Sequence, residues 1–190
     1  MSFFQFLMLA MTAYFSFQVY QHIQNIEDEE VQQKEESEKS SKILEEEADE
    51  LYKQGDLQRA FELLDEANIK DPKNAEILAK MGYILGKNER NNEAVSYYEE
   101  ALHVNPDDDM THNAIASLYK KISQYDKAQY HYEEALKIDS EYAVTYYNYA
   151  NLSVEMNDFE KAYKLYEKAV QLDPDFIEAK EEMNNLKEKM

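Results

Sequence analysis

The 190-residue chain contains no cysteine. That excludes disulfides, thiolate metal sites, a cysteine nucleophile and a lipid anchor on Cys, while leaving the compartment open. Its three glycines, Gly55, Gly82 and Gly86, are too few and too scattered for a phosphate-cradling loop. Cations are scarce: 20 Lys and Arg stand against 40 Asp and Glu, a formal net charge of −20. Such a surface is unsuited to nucleic-acid phosphates and to anionic headgroups. It favours a basic protein partner, chiefly through association rate.

Groupings that carry chemistry are missing too. The four histidines, His22, His103, His112 and His131, fall in no metal-ligand spacing. The run Asp107-Asp108-Asp109 lacks the glycine bend and the bidentate Glu of a calcium loop. It reads as an acidic start to a helix. No serine sits in an elbow context. No catalytic, cofactor-binding or metal-binding residue is expected, and the chain reads as non-enzymatic.

The three prolines are informative. Pro72 and Pro106 lie 34 residues apart, and Pro106 and Pro174 lie 68 apart, twice that period. Ser140 stands at the missing tick. Four segments align on this clock: 41–74, 75–108, 109–142 and 143–176. Position 8 of each is Ala48, Gly82, Ala116 and Ala150. Position 20 is Ala60, Ala94, Ala128 and Ala162, and position 27 is Ala67, Ala101, Ala135 and Ala169. Two helices crossing closely tolerate only small side chains there. Position 24 is bulky, with Leu64, Tyr98, Tyr132 and Tyr166, so large and small alternate through the inter-helix layer. Turn formers break the periodicity at Gln54-Gly55-Asp56, Asn88 to Asn92, Ser123 to Asp126 and Asn157-Asp158. Ser140 and His112 depart from the pattern. Glu47 departs most, standing where the later segments have Met81, Ile115 and Tyr149. An acidic residue there fits the solvated end of an array.

A 34-residue helix–turn–helix period with these small positions resembles the tetratricopeptide repeat. The resemblance implies an all-α, right-handed solenoid of about four repeats. Residues 177–190, with Ile177, Met183 and Leu186, read as a C-terminal capping helix. It further implies that helices A line a concave groove and that the protein binds other proteins. Carried over, the groove positions offer Tyr83, Asn113, Ser117, Tyr147, Asn148 and Asn151 as candidate partner-binding residues. Asn would donate to and accept from a peptide backbone, and Tyr would give contact area. One subgroup of the family grips the C-terminal carboxylate of heat-shock chaperones. Its positions here hold Glu45, Asp49, Lys80, Met110 and Ala114, where two carboxylates would repel that ligand.

Residues 3–20 carry no charge. A run of that length predicts a single transmembrane anchor over 1–22, followed by a charged connector over 23–40 that cannot bury a core. Lys34 and Lys39 tilt the expected topology toward a cytoplasmic repeat domain. Gln5, Thr12 and Ser16 fall on one stripe of that helix, expected to pack on a partner's span or on a second copy. The expectation is therefore a membrane-anchored repeat scaffold, an assembly factor for a membrane complex, with a homo-oligomer possible. Two alternatives stay open: a periplasmic or lumenal repeat protein with an N-terminal targeting signal, and a regulatory subunit of a membrane enzyme.

Overall fold

The computed structural model describes residues 3–187 and, within 3–13, only some of the side chains. Among the described residues there are nine helices and no strand: α1 (Phe3–Lys53), α2 (Leu57–Lys70), α3 (Ala75–Lys87), α4 (Asn91–Val104), α5 (Asp109–Lys121), α6 (Tyr125–Ile138), α7 (Ala143–Glu155), α8 (Phe159–Leu172) and α9 (Ile177–Lys187). Consecutive helices pair as hairpins, α1 with α2, α3 with α4, α5 with α6 and α7 with α8, and the hairpins stack.

The hairpins close on their small residues. The eleven alanines at positions 8, 20 and 27 are each at most 1% exposed. Gly82 is tighter still, since a Cβ there would lie 3.1 Å from the Ala94 carbonyl oxygen and 3.1 Å from the Tyr98 ring. Leu64, Tyr98, Tyr132 and Tyr166 fill the space between helices and are all buried.

Each helix A ends in the same way. Position 15 is left-handed in all four hairpins: Gly55 at φ 84°, Glu89 at 62°, Ser123 at 61° and Asn157 at 61°. The following amide then reaches back to the helix, as in Arg90 N–H to Leu85 O at 3.0 Å and Gln124 N–H to Tyr119 O at 2.8 Å. This satisfies carbonyls that the helix end would otherwise leave bare. Helix starts use Asp56, Asn74, Asp108 and Asp158, whose side chains accept backbone amides two or three residues on. Asp108 thus caps α5, which accounts for part of the acidic run. At Ser140, where proline is missing, Asp139 accepts the Glu141 amide at 2.8 Å. Asp173 does the same for Asp175 at 2.9 Å, so the bend forms without a locked φ.

The N-terminal expectation is overturned. Among the described residues no helix is long and apolar enough to cross a membrane. The expected single-pass anchor, the membrane localisation and the cytoplasmic topology derived from it fall together. At 51 residues α1 is long enough; among its described residues the apolarity falls short. A charge-free run is not an apolar run: Gln5, Thr12, Ser16 and Gln18 dilute it, and the same helix continues unbroken into Gln- and Glu-rich turns. Of the expected stripe, Thr12 and Ser16 are exposed on α1, and the Gln5 side chain lies outside the described residues. Two serines tie α1 to the end of α2: the Ser37 hydroxyl donates to Lys70 O at 2.8 Å and the Ser41 hydroxyl to Ala67 O at 3.2 Å. At the other end α9 turns Leu186 and Met183 onto Tyr166 and Ala162.

Candidate functional site: the seam between α3 and α5

Helices A form one face of the stack, and the seam between α3 and α5 opens on it. Two recesses meet there. One, of about 600 Å³, is lined by Glu76, Ala79, Lys80, Tyr83, Met110 and Asn113 among others. The second, of about 430 Å³, is lined by Tyr83, Gly86, Lys87, Ala114, Ser117 and Lys121 among others. Tyr83, Tyr98 and Ala114 border both. Small residues at Ala79, Gly86 and Ala114 open the seam, and Tyr83 and Met110 stand up beside it, 44% and 60% exposed.

Tyr83 is held from both sides. The Tyr52 hydroxyl donates to the Tyr83 oxygen at 3.0 Å, and Lys87 Nζ lies 5.2 Å from the Tyr83 ring centre. The bond received from Tyr52 lowers the Tyr83 phenol from its ordinary value, burial opposing. Donating that bond raises Tyr52. The ring is therefore an exposed, oriented aromatic, the kind of side chain that anchors protein contacts.

The seam brings together three of the six candidate residues, Tyr83, Asn113 and Ser117. The other three lie one helix further on, in α7. Most of the polar candidates also bond within the stack. Asn148 Nδ2 donates to Asn113 Oδ1 at 3.3 Å. Ser117 and Tyr132 share a bond of 3.0 Å, and Tyr166 donates to Asn151 Oδ1 at 2.5 Å. Tyr147 packs between Tyr166 and Phe176, ring centres 5.8 and 4.9 Å away.

Two clusters escaped the sequence reading. Lys80 Nζ donates to Glu45 at 2.6 Å and Asp49 at 2.8 Å and lies 3.2 Å from Glu76. Burial opposes its charge, but the bonds to Asp49 and Glu45 outweigh it and hold Lys80 above the usual lysine range. Burial pushes the Glu45 carboxyl up, and the Lys80 bond offsets this only in part. The second cluster is a histidine pair, with His112 Nδ1 2.9 Å from His131 Nδ1 and His112 Nε2 3.2 Å from Pro106 O. A carbonyl only accepts, so His112 Nε2 carries hydrogen, and with both rings neutral His131 Nδ1–H donates to His112 Nδ1. Burial, aided by His112, pushes His131 down to about 4. Each cluster joins residues of two helices, so no short spacing announces the contact between them. Among the described residues no group of three or more His, Asp or Glu forms a metal site.

A stack of helical hairpins with an open seam along its helix A face defines a solenoid-type protein-interaction scaffold. The chain belongs to the tetratricopeptide repeat family, whose model matches residues 51–118 and 123–188. No curated protein matches it. Among solved structures it is similar to MamA 41-end from Desulfovibrio magneticus RS-1, with 22% identity, TM-score 0.72, and coverage of 79% of this chain and 85% of that one. It is similar to Pseudomonas aeruginosa pilF at 19% identity, TM-score 0.74, covering 80% and 70%. It also resembles the first TPR of Spaghetti (RPAP3) bound to HSP90 peptide SRMEEVD, at 22% identity, TM-score 0.59, covering 61% and 92%. At these identities the likeness is one of fold.

Proposed function

We propose that the chain is a scaffold that holds a segment of a protein partner in the α3/α5 seam and supports assembly of a complex. The observation that carries this reading is Tyr83, an exposed and doubly oriented aromatic between two adjoining recesses. Asn113 and Ser117 offer polar contacts along the same line. The reading excludes a chaperone-tail adaptor. Lys80, the one cation at the carboxylate-gripping positions, is already engaged by Glu45 and Asp49, so an incoming carboxylate meets two like charges. The membrane-complex part of the expectation rested on the spanning helix and goes with it.

A photoreactive amino acid placed at Tyr83 of the full chain in its own cells tests this, with the same probe at Tyr130, exposed on α6, as control. Partner crosslinks should form at Tyr83 and not at Tyr130. Crosslinks at Tyr130 alone would place the contact on the opposite face and refute the reading.

A further inference from the structure

The two ends of the solenoid are finished differently. At one end α9 covers α8. At the other, no helix among the described residues covers the face of α1 and α2 that looks away from α3. Comparison by repeat position shows what this face is. Positions 3, 7, 10 and 11 in α3 are Ile77, Met81, Ile84 and Leu85, and all are buried. Ile77, Met81 and Ile84 pack in one cluster with Leu64 and Ala67 of α2, the second helix of the preceding hairpin. The same positions of α7 are buried as well, and there Tyr149 and Leu152 pack with Tyr132 of α6. In α1 these positions are Ile43, Glu47, Glu50 and Leu51. Ile43 is 50% exposed, and both glutamates are exposed.

The face forms a recess of about 620 Å³. Ile43, Leu51 and Leu63 give it an apolar floor, and Glu46, Glu47, Glu50, Glu62 and Glu66 surround them. Glu50 pairs with Lys53 at 2.7 Å. Among the described residues Glu46, Glu47, Glu62 and Glu66 have no ion pair. Arg59, the cation among the described lining residues, lies 3.6 Å from Asp56.

We propose that this end face docks a basic amphipathic helix of a partner protein. In the inner hairpins the equivalent surface receives a helix, so the shape calls for one. Residues 3–42 do not supply it, because they form one continuous helix with Ile43, which α1 carries on its own surface. A second copy brings a further −20 charges toward a rim of carboxylates, which disfavours encounter. A helix with a leucine-type stripe flanked by Lys and Arg complements both the floor and the rim. This surface is separate from the α3/α5 seam, and a scaffold with two faces can bridge two partners.

The probe is a labelled Leu/Lys peptide of about 18 residues patterned as an amphipathic helix. A scrambled peptide of the same composition is the control. Fluorescence anisotropy with the full chain should show saturable binding of the patterned peptide, weakened about tenfold by Glu47→Lys with Glu66→Lys. Ile43→Ser should weaken it too, whereas Tyr83→Ala should leave it unchanged. If Ile43→Ser lowers the melting temperature, the charge pair, both exposed, carries the test alone. Equal binding of the scrambled peptide, or unchanged binding by the charge variants, would reduce the face to a solvated end and overturn the proposal. Self-association of the wild type lost in Ile43→Ser would assign the face to a second copy and overturn it as well.

Discussion

Replacing Glu89 with glycine should stabilise this protein. Glu89 sits at φ 62° in the turn between α3 and α4, a region where a Cβ costs roughly 1–2 kcal/mol. Glycine removes that strain but frees the unfolded chain, at a cost of about 0.4–1 kcal/mol. The carboxylate also lies just past the C-terminus of α3, the negative end of the helix dipole, so its removal adds about 0.3 kcal/mol. The net gain is about 1 kcal/mol within a range of about 0.3–1.9 kcal/mol, and 1 kcal/mol corresponds to a rise of roughly 2–4 °C in Tm. The other three turns supply internal controls. Ser123→Gly should gain slightly less, having no charge to relieve. Asn157→Gly should be nearly neutral, because Asn tolerates this conformation. Gly55→Ala should lose about 1 kcal/mol. A Cβ at Gly55 would meet nothing within 4 Å, so that loss is backbone strain alone. Urea unfolding followed by helical circular dichroism measures the series. Hydrogen exchange then assigns each change to its own hairpin, since repeat arrays need not unfold in one step. A destabilised Glu89→Gly, or a neutral Gly55→Ala, would refute the argument that position 15 demands a left-handed residue.

Other perturbations probe packing and charge. Ala135→Leu, at a site 1% exposed, should cost about 1–3 kcal/mol by overpacking; exchange protection should fall around α5–α7, and unchanged protection would contradict the stacking described. Lys80→Met should destabilise the α1/α3 contact by leaving Glu45 buried without its cation. Because burial already raises the Glu45 carboxyl, its protonated form is favoured in the folded state. The deficit of the variant should therefore shrink as pH falls and widen as pH rises through that raised value; a deficit independent of pH would sink this account. His131 is pushed down to about 4 from 6.5, so the unfolded chain binds its proton first. Stability from this residue should be complete above about 6.5 and lost as pH falls toward 4, and His131→Phe should remove that part of the slope. Glu99, Glu134 and Lys127 also face the ring, so the readout is the difference between wild type and variant. Tyr147→Ala should lower Tm, since Tyr147 packs on Tyr166 and Phe176; an unchanged Tm would return Tyr147 to the pool of free groove residues.

The 34-residue period, the small positions and the paired helices were legible in the sequence because the physics is local. Where two helices cross closely only Ala or Gly fits, and the requirement recurs with every hairpin. The left-handed turn residue was half legible, visible in Gly55 and Asn157 but hidden by Glu89 and Ser123, which carry the strain. Freedom from charge over residues 3–20 does not by itself make a span: among the described residues no helix is long and apolar enough to cross a membrane. Which side chains of the helix A face remain available was decided only by tertiary structure. Asn113 meets Asn148 across 35 positions of sequence, Lys80 meets Glu45 across 35, and His112 meets His131 across 19. Whether a polar residue stays free for a partner depends on what the next helix brings within about 3 Å of it. Hairpin stacking sets that distance, and the sequence pattern of one helix does not encode it. The same holds for the end face of α1 and α2: in the sequence Glu47 reads as the solvated end of an array, and only the stacked inner hairpins show that a helix packs on the equivalent positions.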